Sequence, residues 1–127
     1  MRTCRITIGL LLAMFPTTAL AQDLCTLIAG ASVIADDGKF LGRLTSKSSS
    51  DSILNEYGTY GSEYSSGSIW NKYGTYGSEY SSQSPFSPYT SNPLLLVTGG
   101  RAIARLTVNR SLPAALNPYV VKKFEFN

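Results

Sequence analysis

Val33-Ile34-Ala35-Asp36-Asp37-Gly38-Lys39-Phe40-Leu41-Gly42-Arg43-Leu44-Thr45 is echoed 62 residues later by Leu95-Leu96-Val97-Thr98-Gly99-Gly100-Arg101-Ala102-Ile103-Ala104-Arg105-Leu106-Thr107. In each stretch two apolar runs flank Asp37-Gly38 or Gly99-Gly100, dipeptides that accept the positive φ of a tight hairpin turn. Phe40, Gly42 and Leu44 alternate with Leu41, Arg43 and Thr45, and Ala102, Ala104 and Leu106 with Ile103, Arg105 and Thr107, the period of a strand with one more polar face. The echo continues outward, because Leu54-Asn55-Glu56-Tyr57 precedes Leu116-Asn117-Pro118-Tyr119 by the same 62 residues. The tail 119–126, rich in branched and aromatic residues, adds a fifth strand candidate. The expected fold is therefore mainly β, a small antiparallel sheet or half-open barrel built from duplicated hairpins. Its core would draw on Val33, Ile34, Phe40, Leu44, Leu95, Val97, Ile103, Leu106, Val120 and Phe124, with Leu24 and Leu27 closing one side.

Between the hairpins, Asn55-Glu56-Tyr57-Gly58-Thr59-Tyr60-Gly61-Ser62-Glu63-Tyr64-Ser65-Ser66 recurs as Asn71-Lys72-Tyr73-Gly74-Thr75-Tyr76-Gly77-Ser78-Glu79-Tyr80-Ser81-Ser82, with one change in twelve positions and a period of 16. A decayed third copy follows, in which Phe86 and Tyr89 match Trp70 and Tyr73. Seven of the eight tyrosines lie in this Ser/Gly-rich segment. Interior glycines cost a helix about 1 kcal/mol each relative to alanine, which argues against one long helix. The expectation is an ordered irregular Tyr/Gly/Ser-rich insertion, with short helical turns at 51–57 and 68–73 closed by glycines. Disorder or self-association of a low-complexity segment is the competing reading.

Met1 to Arg5 supplies a basic start, Ile6 to Phe15 an apolar stretch of about ten residues, and Ala19-Leu20-Ala21 a small-residue ending, the three parts of a secretory signal peptide. Residues 1–21 are thus expected to be a leader, and 22–127 a single small β domain that includes the repeats at 51–90. Of 11 basic residues Arg2 and Arg5 lie in the leader, leaving 9 against 8 acidic ones, a balance of +1. That balance, with no basic-aromatic module, argues against nucleic acid. The six cations Arg43, Arg101, Arg105, Arg110, Lys122 and Lys123 read as dispersed surface charges or as a modest basic face. Loss of Cys4 with the leader would leave Cys25 alone, to pack as a small apolar residue or to link two chains.

The sequence has no histidine. This excludes the usual imidazole base, the Ser/His/Asp and Cys/His nucleophiles, and most zinc sites. Asp36, Asp37, Asp51, Glu56, Glu63 and Glu79 have no calcium-loop spacing. Glu63 and Glu79 would make a glycosidase pair only if they met across the fold at about 5 to 10 Å. Neither metal nor cofactor is expected. A tyrosine offers a flat apolar face and a hydroxyl, suited to stacking on sugars, peptides or protein surfaces. Tyr60, Tyr64, Trp70, Tyr76, Tyr80 and Phe86 are the candidate binding residues. The simpler account of the same rings is packing over the sheet, and exposure distinguishes the two.

The Asn-x-Tyr-Gly-x-Tyr-Gly-Ser-x-Tyr-Ser unit, preceded by Asp37-Gly38-Lys39-Phe40-Leu41-Gly42 and followed by Asn92-Pro93, resembles small exported bacterial proteins of uncharacterised function. The resemblance spans about residues 31–108, and the third unit departs from it at Ser87 and in lacking the glycines. It implies a secreted or periplasmic bacterial domain and carries no active site. The functional expectation is a noncatalytic exported protein that presents a tyrosine-rich repeat loop to a glycan, peptide or envelope component. The alternatives are a structural or self-associating secreted protein and, more distantly, a paired-carboxylate hydrolase.

Overall fold

The structure is a computed structural model that describes residues 4–6 and 17–126, with only the backbone described for 4–6 and 17–22. Its elements are β1 (Cys4–Ile6), α1 (Thr17–Ile28), β2 (Ser32–Ile34), β3 (Phe40–Arg43), β4 (Leu94–Thr98), β5 (Arg101–Leu106), β6 (Ala115–Leu116), α2 (Pro118–Val121) and β7 (Phe124–Phe126). The main sheet runs β3-β2-β4-β5-β6, antiparallel except for the parallel β5–β6 pair, while β1 and β7 form a separate antiparallel pair. It is a mixed sheet rather than a purely antiparallel one, and it is not a closed barrel: β3 and β6 are its two ends.

Both expected hairpins are present. Gly99 and Gly100, at φ 57 and 78, form the two-residue turn between Thr98 and its partner Arg101, the geometry that matches strand twist. The hairpins join through their first strands, Val33 opposite Leu96 and Ile34 opposite Leu95. The 62-residue echo therefore relates two hairpins of one sheet across a pseudo-two-fold axis between β2 and β4. Each second strand is then flanked by a parallel segment. Arg43 bridges Ser52, with its N–H donated to the Asp51 carbonyl, and Arg105 pairs with Ala115, with its N–H donated to the Ala114 carbonyl. These segments cover edges that would otherwise offer unpaired backbone groups.

The core is one residue out of phase with the expectation on two strands. Leu41, Leu94 and Leu96 are fully buried, whereas Phe40 is exposed and Ile34, Leu95, Val97 and Ile103 are half-buried; Val33, Leu44, Leu106 and Phe124 are in the core as expected. The run Leu94-Leu95-Leu96-Val97 has no alternation from which a face could be read, so strand pairing and the shared core choose it. From α1, Cys25 and Ile28 enter the core, Leu24 packs at its margin and Leu27 faces solvent. The tail is also corrected. Asn117 accepts the Tyr119 N–H at 2.8 Å and Pro118 opens α2, so a capped helical turn replaces the first half of the expected strand. Val121, not Val120, is then the buried residue. Cys25 is disulfide-bonded in the 127-residue chain. The expectation of a lone Cys25 concerns a chain without residues 1–21, and α1 runs through the expected cleavage point after Ala21.

The repeat segment is a regular array of β-turns rather than irregular loops with helical turns. Backbone i→i+3 hydrogen bonds close on Ser46, Ser49, Ser52, Asn55 and Gly58, and again on Ser62, Ser65, Ser68, Asn71 and Gly74, then on Ser78, Ser81 and Ser84. They come once per turn, not once per residue, so no helix propagates. Four steps of three and one of four make the 16-residue period. At most turns the opening Ser or Asn side chain also accepts the N–H two residues on, as Asn55 does from Tyr57 and Asn71 from Tyr73, both at 3.0 Å. These are the local bonds by which Ser and Asn favour turns over helices.

Successive repeats stack. Ser52, Ser68 and Ser84 are buried at equivalent positions, as are Ile53, Ile69 and Pro85 beside them. The Trp70 indole N–H donates to the Ile53 carbonyl, and the Trp70 and Phe86 rings lie 5.7 Å apart. Gly61 and Gly77 sit where a Cβ would come within 2.0 and 2.1 Å of the Asn55 and Asn71 carbonyl oxygens, so only glycine fits the four-residue step. The decayed third copy closes the array onto the sheet: the Asn109 amide donates to the Thr90 carbonyl at 2.8 Å and the Val108 N–H to Pro85 at 2.8 Å. At the other end, Arg43 contacts Asp51 at 3.5 Å and the Ser49 hydroxyl donates to Asp51 at 2.7 Å. The Ser49 hydrogen bond, with Arg43 adding its charge, holds the Asp51 carboxyl below its ordinary value.

Candidate functional site

Every aromatic residue of the array occupies the third position of its turn, two residues after the opener. What differs among them is the turn of the repeat on which they fall. The turns opened by Asn55, Asn71 and Ser87 carry Tyr57, Tyr73 and Tyr89, exposed to 96%, 87% and 91%. Those opened by Ser62 and Ser78 carry Tyr64 and Tyr80, exposed to 86% and 90%. By contrast, the turn between them directs its ring inward. Tyr60 packs edge-on to Phe40 at 5.3 Å and Tyr76 is buried with Lys39 Nζ 5.2 Å from its ring centre.

The six candidate residues thus divide three ways. Tyr64 and Tyr80 project into solvent. Trp70 and Phe86 are half-buried, and Tyr119 of α2 joins them 5.1 Å from Phe86 while Lys122 Nζ lies 4.8 Å over the Trp70 ring. Tyr60 and Tyr76 are packing residues that hold the array to the β2–β3 hairpin. Sequence reasoning passed over Tyr57, Tyr73 and Tyr89 as candidates. The signal for them was the three-residue recurrence of Ser, Asn or Gly before each ring, which sets the ring's position in its turn.

Tyr57, Tyr64, Tyr73 and Tyr80 line one open groove of about 1720 Å3, with Trp70, Phe86 and Tyr119 also on its walls. Glu63 and Glu79 are exposed there at equivalent positions. The Glu63 carboxylate accepts a hydrogen bond from the neighbouring Tyr64 phenol, and that bond together with its charge raises the phenol above its ordinary value. Among the described residues no group of three or more acidic or cysteine side chains is placed to hold a metal ion. Of the cations, Arg43 is paired with Asp51, Arg105 donates to the Pro113 carbonyl at 2.9 Å and Lys122 lies over Trp70, while Arg101, Arg110 and Lys123 are exposed. No described helix is long and apolar enough to cross a membrane. The chain matches no protein-family model, no curated protein and no solved structure.

Proposed function

We propose that this is a noncatalytic exported protein, periplasmic or secreted and akin to the small bacterial repeat proteins it resembles, whose turn array presents tyrosines to a glycan or other envelope component. The supporting observation is the exposure of Tyr57, Tyr64, Tyr73, Tyr80 and Tyr89, each at least 86%. Inward rings in the same array show that its turns are able to bury tyrosine, so the outward ones are not exposed for want of space. Repeated flat rings rimmed by Glu, Lys and Ser suit a partner with flat apolar faces and polar edges. The two hairpins, read as copies of one unit, are the scaffold.

Co-sedimentation of the exported protein with insoluble polysaccharides and with envelope extract tests this reading. Binding that vanishes when Tyr57, Tyr64, Tyr73, Tyr80 and Tyr89 are all changed to Ser, at unchanged circular dichroism, supports it; binding that survives the change rejects it. The same exposed rings also fit a self-associating structural protein. In that case the sedimentation coefficient rises with protein concentration in the parent and stays constant in the variant. The N-terminal sequence of the exported protein checks cleavage after Ala21.

A further inference from the structure

Resting on that reading, we propose that the cleft between Tyr64 and Tyr73 is a pyranose-binding subsite for a strand of uncharged polysaccharide. The cleft holds about 440 Å3 and is lined by Glu63, Tyr64, Trp70, Asn71, Lys72 and Tyr73, a size within the range of small-ligand sites. It falls where one repeat ends and the next begins. Tyr64 closes the first repeat and Tyr73 opens the second, and both rings are almost fully exposed.

The walls between them are fixed. Trp70 is held by its bond to the Ile53 carbonyl, with Phe86 5.7 Å and Lys122 Nζ 4.8 Å from its ring. The Asn71 side chain spends both ends on backbone, accepting from Tyr73 at 3.0 Å and donating to Ser65 at 3.1 Å. Glu63, which accepts from the Tyr64 phenol, and Lys72, whose Nζ lies 5.6 Å from the Tyr73 ring centre, form the polar rim, one acceptor and one donor of opposite charge. A sugar ring meets such a site with C–H groups against the aromatic faces and hydroxyls toward the rim.

Charge selects the class. Among the described residues around the groove, the carboxylates of Glu56, Glu63 and Glu79 stand against the ammonium groups of Lys47, Lys72 and Lys122. These described charges leave no cationic excess to hold a polyanion. Repetition selects a polymer over a single sugar. One repeat further on, Glu79, Tyr80, Phe86 and Tyr89 occupy the equivalent positions, with Ser87 and Pro88 in place of Asn71 and Lys72. This second position keeps the rings and loses the ammonium donor, so it binds more weakly.

Trp70 is the only tryptophan in the chain, so its emission reports on the cleft. Titration with the β-1,4-linked tetramer of N-acetylglucosamine should give a saturable emission change. Tyr64→Ala and Tyr73→Ala should each weaken binding about tenfold or more, and Tyr57→Ala less than about threefold, all with unchanged circular dichroism. If Tyr64→Ala and Tyr73→Ala bind like the parent while Tyr57→Ala or Tyr80→Ala does not, the subsite is wrong and the exposed-ring reading stands. Binding of polygalacturonate in place of the neutral tetramer overturns the ligand class alone. If neither sugar nor envelope extract binds, both this proposal and the reading beneath it fall.

Discussion

The sheet and the turn array solve the same problem, satisfying the backbone while burying apolar groups, by different means. In the sheet, hydrogen bonds join residues far apart in sequence, such as Val33 with Leu96, and moving one strand by a residue exchanges its faces. In the array most backbone bonds are local, a Ser, Asn or Gly accepting the N–H of a residue two to four positions on. Local bonding leaves the third position of each turn free to face either way, which is how Tyr57, Tyr60 and Tyr64 come to lie out, in and out. A surface can therefore be altered on the array at sites where the same change in the sheet would disturb the core.

The sharpest way to break this contrast is at the four-residue step. Gly77→Ala puts a methyl group onto the Asn71 carbonyl and should cost more than about 3 kcal/mol in urea unfolding, whereas Gly67→Ala, with nothing within 4 Å, should be nearly neutral. Next come the buried positions: Ile69→Ala in the array and Leu96→Ala in the sheet should each cost about 2 to 5 kcal/mol. If Ile69→Ala proves silent, stacking of the repeats does not support their fold. Tyrosines at one position of the turn but on different turns should then separate. Tyr76→Ala should cost about 3 kcal/mol and Tyr73→Ala less than about 0.5, and equal losses would erase the inward–outward distinction.

The smallest effect belongs to the junction of the two regions. Because Asp51 is held below its ordinary value, by the Ser49 hydrogen bond with Arg43 adding its charge, its contribution is complete above about pH 4 and is lost as pH falls through the folded value. Asp51 and Arg43 are each about a third exposed, so Asp51→Asn should remove under about 1 kcal/mol at pH 7 and flatten the acid limb of the stability profile. A steeper acid limb in the variant would contradict that assignment.

Much of this was legible in the residues. Asp37-Gly38 and Gly99-Gly100 marked both hairpins, and the 62-residue echo aligned Arg43 with Arg105, whose parallel neighbours Ser52 and Ala115 it did not reveal. The Asn-x-Tyr spacing even contained the turn, since Asn55 and Asn71 bond to the amide two residues on. It reads as helical because an isolated β-turn has the same i→i+3 closure as one turn of 3₁₀-helix. The candidate rings were half-legible for a related reason. Tyr60 and Tyr57 are chemically identical and three residues apart, and nothing in either residue says that Gly42 and Phe40 will receive one of them.

Amino-acid order alone determined the hairpin turns, the period of the array and the absence of an imidazole base, because each depends on residue type and local spacing. Tertiary structure decided which face of Leu94–Thr98 is buried, that the sheet stays open and gains a parallel edge, and which tyrosines reach water. Those outcomes depend on partners beyond the local turn, from Ala115 beside Arg105 and Phe40 against Tyr60 to Leu96 at Val33. Local propensity carries no information about that neighbour until the chain has closed around it.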